Sequence, residues 1–397
     1  MNPMPAPLVY FDNNATTRVA PEVREAMQPF LQNEYANPSS LYSFAHFSQD
    51  ALLIAHEQVA ALLGAKAGEI IMTSCGTESD STAIYSALES LPKKKTFITT
   101  PVEHSAVLAV AERLETKGYN VLYLSVNSLG QIDLDELDSL ITDDTALVSI
   151  MFANNETGTL YPVAEAGALC RKHGVLFHTD AVQALGKVPI NLATLPVDYL
   201  SLSGHKIHAP KGIGALYVRQ GVPFVPFMLG GHQEYNRRAG TQAVPMIVAL
   251  GRACELARQN SAEENPRVQG LRDDLQTRLL AAIPESIILG DEQNRLPNTL
   301  NLAFKDVYSE DILLLLDQYN ICASAGSACI ADIHEPTHVL KAMQVGPEFA
   351  NGAIRLSLSG YNTKEEVAFV GEKLPEVIQQ LRLQKQAPNV GVASCLV

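Results

Sequence analysis

Seven short β-rich runs recur between residues 69 and 219, and they constrain the fold more than any other feature. They are "EIIMTS" (69–74), "KTFITT" (95–100), "NVLYLSV" (120–126), "ALVSIMF" (146–152), "VLFHTD" (175–180), "YLSLS" (199–203) and "GALYVR" (214–219). Amphipathic stretches such as "SAVLAVAERLETKG" (105–118) and "AEAGALCRKHG" (164–174) lie between them. Strands alternating with helices predict an α/β fold built on a mainly parallel sheet, covered on both faces and joined by right-handed connections.

After about residue 240 the pattern changes. Two helical segments, "VPMIVALGRACELARQ" (244–259) and "RVQGLRDDLQTRLLAAI" (267–283), flank "AEENP", which reads as a break. Then come "NTLNLAF" (298–304), the helical "EDILLLLDQ" (310–318), "AIRLSLS" (353–359), a final helix, and the tail "QAPNVGVASCLV". This mixture predicts a smaller α+β domain. The large domain is expected over residues 15–262. Residues 1–14 and 263–397 are expected to form the small one. A chain of 397 residues admits such a division.

Composition narrows the function. The formal charge of −14 opposes sequence-independent binding to nucleic acid or to an anionic membrane, since both need a positive face. No run of about 18 apolar residues marks a membrane span. The start, "MNPMPAPLVYFDNN", lacks a basic region followed by an apolar one, so a cytoplasmic location is expected. The cysteines Cys75, Cys170, Cys254, Cys322, Cys329 and Cys395 show no closely spaced pairs, which predicts free thiols.

In open α/β sheets ligands bind beyond the carboxyl ends of the strands. The residues following the runs here are "CGTES", "PVEHS", "ANNETG", Asp180 with Gln183, and "GHK". The reactive side chains therefore gather at one end of one sheet. Gly76 and Thr77 open a helix and offer N–H groups and a hydroxyl to an anion; the alternative is an ordinary start capped by Thr77. Asp180 is either a carboxylate for a protonated ring nitrogen or a helix cap. His104 is either a catalytic or stacking imidazole or a structural one. Lys206, beyond the sixth run, suits a Schiff base with a carbonyl cofactor. An aldehyde, a ring nitrogen and a phosphate together describe pyridoxal 5'-phosphate. Ser203 and His205 supply further donors to the phosphate.

In "ICASAGSACIADIHEPTHVL" (321–340), Cys322 reads as a buried, inert thiol. Cys329 lies among Gly, Ser and Ala and suits a nucleophile whose pKa has been lowered. Cys329, His334 and His338 match no standard ligand spacing, so no metal is expected. Arg355, a cation in an apolar strand, suits a substrate carboxylate or an internal salt bridge.

These residues sit in longer stretches: "YFDNNATT" (10–17), "TSCGTES" (73–79), "ALVSIMFANNETGTLYPV" (146–163), "GVLFHTDAVQALGKVPI" (174–190), "LSLSGHKIHAPKGIGALYVR" (200–219), "GGHQEYNRRAGT" (230–241) and "ILLLLDQYNICASAGSAC" (312–329). In them the chain resembles the pyridoxal-phosphate-dependent cysteine desulfurases, and among these the NifS type associated with nitrogenase. "DNNATT" and "GGHQEYNRRAGT" favour that type. The resemblance implies a fold-type I, transferase-like architecture and a homodimer. L-cysteine would become L-alanine, and sulfur would pass as a persulfide on Cys329 to an iron–sulfur scaffold or other acceptor protein. It implies Lys206 as the Schiff-base lysine, Asp180 as the partner of the ring nitrogen and His104 as the residue stacked on the ring. Asn155 and Gln183 would lie near the ring oxygen. Gly76, Thr77, Ser203 and His205 would form the phosphate cradle, joined by Thr241 of the other subunit. Arg355, with Asn155, would hold the substrate carboxylate.

The chain departs from the family pattern at Ile330, Ala331 and Asp332 after the nucleophile, at Gly360, at Ala36 and in "GTQA" (240–243). Asp332 brings a negative charge that raises the pKa of a nearby thiol. Two alternatives stand beside the main reading. One is a selenocysteine lyase or related pyridoxal β-lyase. The other is a non-catalytic scaffold for iron–sulfur assembly.

Overall fold

The first strand, β1 (Val9–Tyr10), lies far in sequence from the large sheet and does not join it. The large sheet holds β2 (Ile70–Thr73), β3 (Thr96–Thr99), β4 (Asn120–Tyr123), β5 (Thr145–Ser149), β6 (Leu176–Asp180), β7 (Tyr199–Ser203) and β8 (Gly214–Val218), in the order β2-β8-β7-β6-β5-β3-β4. This computed structural model describes residues 8–325 and 335–386. Cys329 and Cys395 fall outside the described residues, as do Ile330, Ala331, Asp332 and His334.

Strands β2, β3, β5, β7 and β8 are buried along their whole length, as expected of a sheet covered on both faces. Six strands run parallel and β8 is antiparallel to both its neighbours, β2 and β7. Only residues 204–213 separate β7 from β8. That is too short for the crossover helix a parallel neighbour requires. Gly214 serves this arrangement, because a Cβ there would lie 2.7 Å from Leu202 O and 2.8 Å from the backbone of Cys75. The loop after β2 therefore rests directly on β8.

A second sheet has the order β12 (Ala353–Ser357), β10 (Thr299–Phe304), β9 (Ser286–Ile288) and is antiparallel. β1 pairs in parallel with β11 (Ile321–Cys322). Among the described residues three apolar clusters follow the sheets. The first covers one face of the large sheet; the second joins Val9 and Phe11 to β10, β12 and the helix Lys364–Gln386; the third covers the other face of the large sheet.

The break expected at "AEENP" is absent. A single helix spans Val244–Ala282 with Pro266 inside it. A proline within a helix costs about 3 kcal/mol, since it removes one hydrogen bond and crowds the preceding turn. Both halves are anchored well enough to offset that. Ile247, Leu250 and Cys254 pack into the first cluster, and Val268, Leu271, Leu275 and Leu279 into the second. Ala262, Glu263 and Glu264, in the turn before the proline, are exposed. The expected boundary between residues 262 and 263 thus lies within one continuous helix. No helix among the described residues is long and apolar enough to cross a membrane.

Candidate active site

One cavity of about 410 Å³ lies beyond the carboxyl ends of the parallel strands. Each loaded loop reaches it: Gly76 and Thr77 after β2, His104 after β3, Asn155 after β5, Asp180 and Gln183 after β6, and Ser203, His205 and Lys206 after β7. Arg355 enters from β12 of the second sheet. Thr241 does not; it is exposed and outside the cavity of its own chain.

Lys206 ends a 3₁₀ turn, Gly204–Lys206, directly after β7. Its Nζ donates to the carbonyls of Asn14 and Ala15, the latter at 2.8 Å. Burial lowers its pKa to about 8, with the Arg355 cation adding to the effect and Asp12 and Asp180 opposing it. An amine with that pKa is a usable nucleophile near neutral pH, where an exposed lysine is not.

Asp180 closes β6 and is 6% exposed. Its Oδ1 accepts from the N–H of Val182 at 2.8 Å, which makes it the head of a turn and not the helix cap the sequence allowed. Burial pushes its pKa up, against the opposing pull of His104, the Val182 N–H and Lys206. No cation pairs with it among the described residues. His104 is itself the N-cap of the helix Ser105–Thr116, with Nδ1 accepting from Ala106 N at 3.1 Å. Burial lowers its pKa, so it is a neutral imidazole with its proton on Nε2.

The helix Gly76–Ser90 begins at the other end of the cavity. Its N-cap is Cys75, which makes no side-chain cap bond, and Thr77 lies inside the first turn. The cap role allowed for Thr77 is therefore not taken, and the opening N–H groups are left for a ligand. A Cβ on Gly76 would sit 2.9 Å from Val182 Cγ2, so only glycine keeps this turn against the loop after β6. His205, with Nδ1 at 3.1 Å from Thr16 Oγ1, has a pKa lowered to about 4 by burial and nearby lysines. It is a neutral donor beside Ser203. An amine, a buried carboxylate without a cation, and a helix N-terminus in one cavity fit the three ends of pyridoxal 5'-phosphate.

Arg355 makes the internal salt bridge the sequence allowed. It donates to Asp12 Oδ1 at 2.8 Å and to Asn155 O at 2.9 Å, with its side chain 3% exposed, and it also lines the cavity. Cys322 is half-buried, less enclosed than expected, because β11 has only the two-residue β1 beside it; burial still raises its thiol pKa. Cys75, Cys170, Cys254 and Cys322 are free thiols.

Several residues of the site escaped the sequence reading. Asn14 links the site together: its carbonyl accepts from Lys206, and its Nδ2 donates to Asn155 O and Thr299 Oγ1. His338 lines the cavity and bonds Glu103 O. Asp80 and Glu103 are buried acids beneath Asp180. Asn14 lay in the quoted "DNNATT"; the two acids carried no signal, since buried and exposed carboxyls look alike in sequence.

Burial raises the Glu103 pKa to about 8, against hydrogen bonds from Met151 N and Thr100 Oγ1. Its other oxygen, Oε2, has no partner. The folded state thus binds a proton between pH 4.5 and about 8 that the unfolded state has released. Stability from this group is full below that window and is lost as pH rises through it. Glu103→Gln keeps the shape without the charge. Melting temperature measured from pH 5 to 8.5 is expected to fall more steeply in the parent protein than in the variant. Parallel curves would show that Glu103 is ionised throughout.

Residues 9–370 match the family model described as "Aminotransferase class-V". The chain belongs to the class-V aminotransferase family. Its relatives there include "Cysteine desulfurase" of Nostoc sp. (strain PCC 7120 / SAG 25.82 / UTEX 2576), 53% identical over 375 residues and 94% of each chain. "Cysteine desulfurase NifS" of Azotobacter vinelandii is 52% identical, over 94% of this chain and 93% of that protein. A solved "NIFS-LIKE PROTEIN" superposes with a TM-score of 0.89 at 42% identity, covering 94% of this chain and all of the other. A "NifS-like protein from Rickettsia africae ESF-5" gives a TM-score of 0.84 at 32% identity, with the same coverage. This class-V aminotransferase chain groups with the cysteine desulfurases, and its seven-stranded sheet is the fold-type I architecture the sequence led us to expect.

Proposed function

We propose that the chain converts L-cysteine to L-alanine with pyridoxal 5'-phosphate, passing the sulfur as a persulfide on Cys329 to an iron–sulfur scaffold or other acceptor. The observation that carries this reading is the convergence of Lys206, Asp180 and the uncapped start of the Gly76–Ser90 helix on one cavity. The bound cofactor would supply an electron-withdrawing ring that makes the substrate Cα–H acidic. Lys206 would hold it covalently and, once released by substrate, take the Cα proton on Nζ. Asp180 would keep a proton on the ring nitrogen, and His104 would cover the ring face. Gly76, Thr77, Ser203 and His205 would hold the phosphate, and Asn155 and Gln183 would face the ring oxygen. Arg355 would bind the substrate carboxylate, with Asp12 and Asn155 O fixing its orientation.

The chain on both sides of Cys329 leads to this site. Ser324 pairs with Arg355 through two backbone bonds, and His338 lines the cavity. Such anchoring supports Cys329 as the sulfur acceptor. Pairing of two copies in the cytoplasm, with Thr241 completing the neighbour's site, is part of the same reading. It is supported by the exposed position of Thr241 and by uncovered apolar side chains such as Leu41, Tyr35, Leu229 and Tyr235. Supply of sulfur to nitrogenase clusters is proposed on the likeness to the Azotobacter vinelandii relative.

The test is a visible absorbance spectrum followed by alanine and sulfide assays on cysteine. Cys329→Ala is expected to keep the cofactor band and lose at least about a thousandfold in cysteine turnover. Unchanged turnover in that variant would point to a β-lyase that needs no acceptor thiol. Absence of the band in the parent protein, with cofactor added, would point to a scaffold.

A further inference from the structure

Behind Lys206 lies a second cavity of about 310 Å³, on the side facing the long helix Val244–Ala282. Its charged and titratable lining groups are Lys187, Lys206, His208, Glu22, Glu264 and Tyr361. Lys206 lines both cavities, so its stem is part of the wall between them. Lys187 has no place in the reaction described above, yet it is tied to that wall.

The connections are explicit. Lys187 Nζ donates to Gln183 Oε1 at 3.0 Å. Gln183 Nε2 donates to Asn14 O at 2.9 Å. That same carbonyl oxygen accepts from Lys206 Nζ. The amide nitrogen of Gln183 and the amine of Lys206 are therefore neighbours across one oxygen atom. Backbone position is also secured: Asn265 Nδ2 of the long helix donates to Gly186 O at 3.2 Å and to Lys187 O at 3.0 Å.

The Lys187 amine, whose pKa burial lowers to about 7 with Lys206 and Arg355 adding to the effect, donates to the Gln183 oxygen, and the Asn14 carbonyl can only accept from the Gln183 –NH₂. The –NH₂ then faces Asn14, and its second N–H is left for the cavity that Gln183 lines. We propose that Lys187 is a positioning residue that locks the Gln183 amide as a hydrogen-bond donor to an oxygen anion of the group bound at Lys206. Such a donor stabilises the anion without needing the proton on the adjacent nitrogen. It thereby lowers the pH at which that nitrogen loses its proton.

This inference rests on the reading of Lys206 as the cofactor lysine, and the holoenzyme tests both separately. Absorbance of bound pyridoxal phosphate is titrated with pH in the parent protein, Lys187→Met, Lys187→Arg and Asn265→Ala. Lys187→Met is expected to move the spectral midpoint up by about one pH unit, the worth of one hydrogen bond. Lys187→Arg is expected to restore it. Asn265→Ala, which only loosens the backbone, is expected to lower the melting temperature and leave the midpoint in place. An unmoved midpoint in Lys187→Met, or an equal shift in Asn265→Ala, overturns the proposal. Should Lys187→Met not fold, Lys187→Ala is titrated with and without ethylammonium, which can enter through the rear cavity. A midpoint indifferent to the amine again overturns it. Failure of the underlying reading looks different: the parent protein then shows no lysine-linked band to titrate.

Discussion

Lys206→Ala is expected to lose the cofactor's absorbance band and to reduce alanine formation from cysteine by at least about ten-thousandfold. Lys206 is the only lysine lining the cavity among the described residues. Its amine is held by two backbone carbonyls and has a pKa lowered to about 8, so a fraction is uncharged at neutral pH. Lys206→Arg is expected to fail equally, since a guanidinium keeps the charge but cannot attack an aldehyde. Uptake of cofactor by the cofactor-free protein should accelerate with pH around a midpoint near 8, as the amine loses its proton. Retained colour and undiminished alanine formation in Lys206→Ala would remove the basis of the proposed function.

Asp180→Asn is the second large effect. Asparagine keeps an oxygen for the Val182 N–H but has no charge to hold a proton on a ring nitrogen. Losing one member of a buried charge pair costs about 2–5 kcal/mol, which is roughly thirty- to several-thousandfold in turnover or cofactor affinity. The cofactor-free protein should respond in the opposite sense. Burial raises the Asp180 pKa, so its contribution to stability falls as pH rises above the ordinary carboxyl range. Without cofactor, Asp180→Asn should therefore melt at the parent's temperature or higher at neutral pH. Equal activity in the two proteins would show that Asp180 holds no such cation, and a lower melting temperature in the variant would show that burying the Asp180 carboxylate does not cost the cofactor-free protein stability.

The opposite signs of these two responses separate a residue kept for chemistry from one kept for folding. Asp80 follows the same logic. It is 1% exposed, its Oδ1 has no hydrogen-bond partner, and it lies 3.6 Å from the His178 ring. Burial lowers the pKa of His178 to about 3, so this histidine offers no positive charge. Burial and the nearby Asp180 raise the Asp80 pKa.

Much of the site was readable because its parts lie immediately after buried strands. A strand covered on both faces shows itself as an unbroken apolar run, and in such a sheet the reactive side chains stand at the strand ends. Gly76, His104, Asp180 and Lys206 were found in this way. What joins them was not readable. Nothing local announces that Asn14 would present its carbonyl to Lys206 or that Lys187 would fix Gln183. Arg355 was legible as a cation in an apolar strand, but its Asp12 partner belongs to the far end of the chain.

The amino-acid order alone determined which segments become the strands of the large sheet and which reactive groups stand at their ends, because burial pattern and turn chemistry act over a few residues. Tertiary structure decided the rest: that the long helix runs through Pro266, that β8 reverses, that Thr77 is not a cap, and which acids are buried with a raised pKa. Those outcomes depend on contacts between segments distant in sequence, whose energies exist only once the chain has packed.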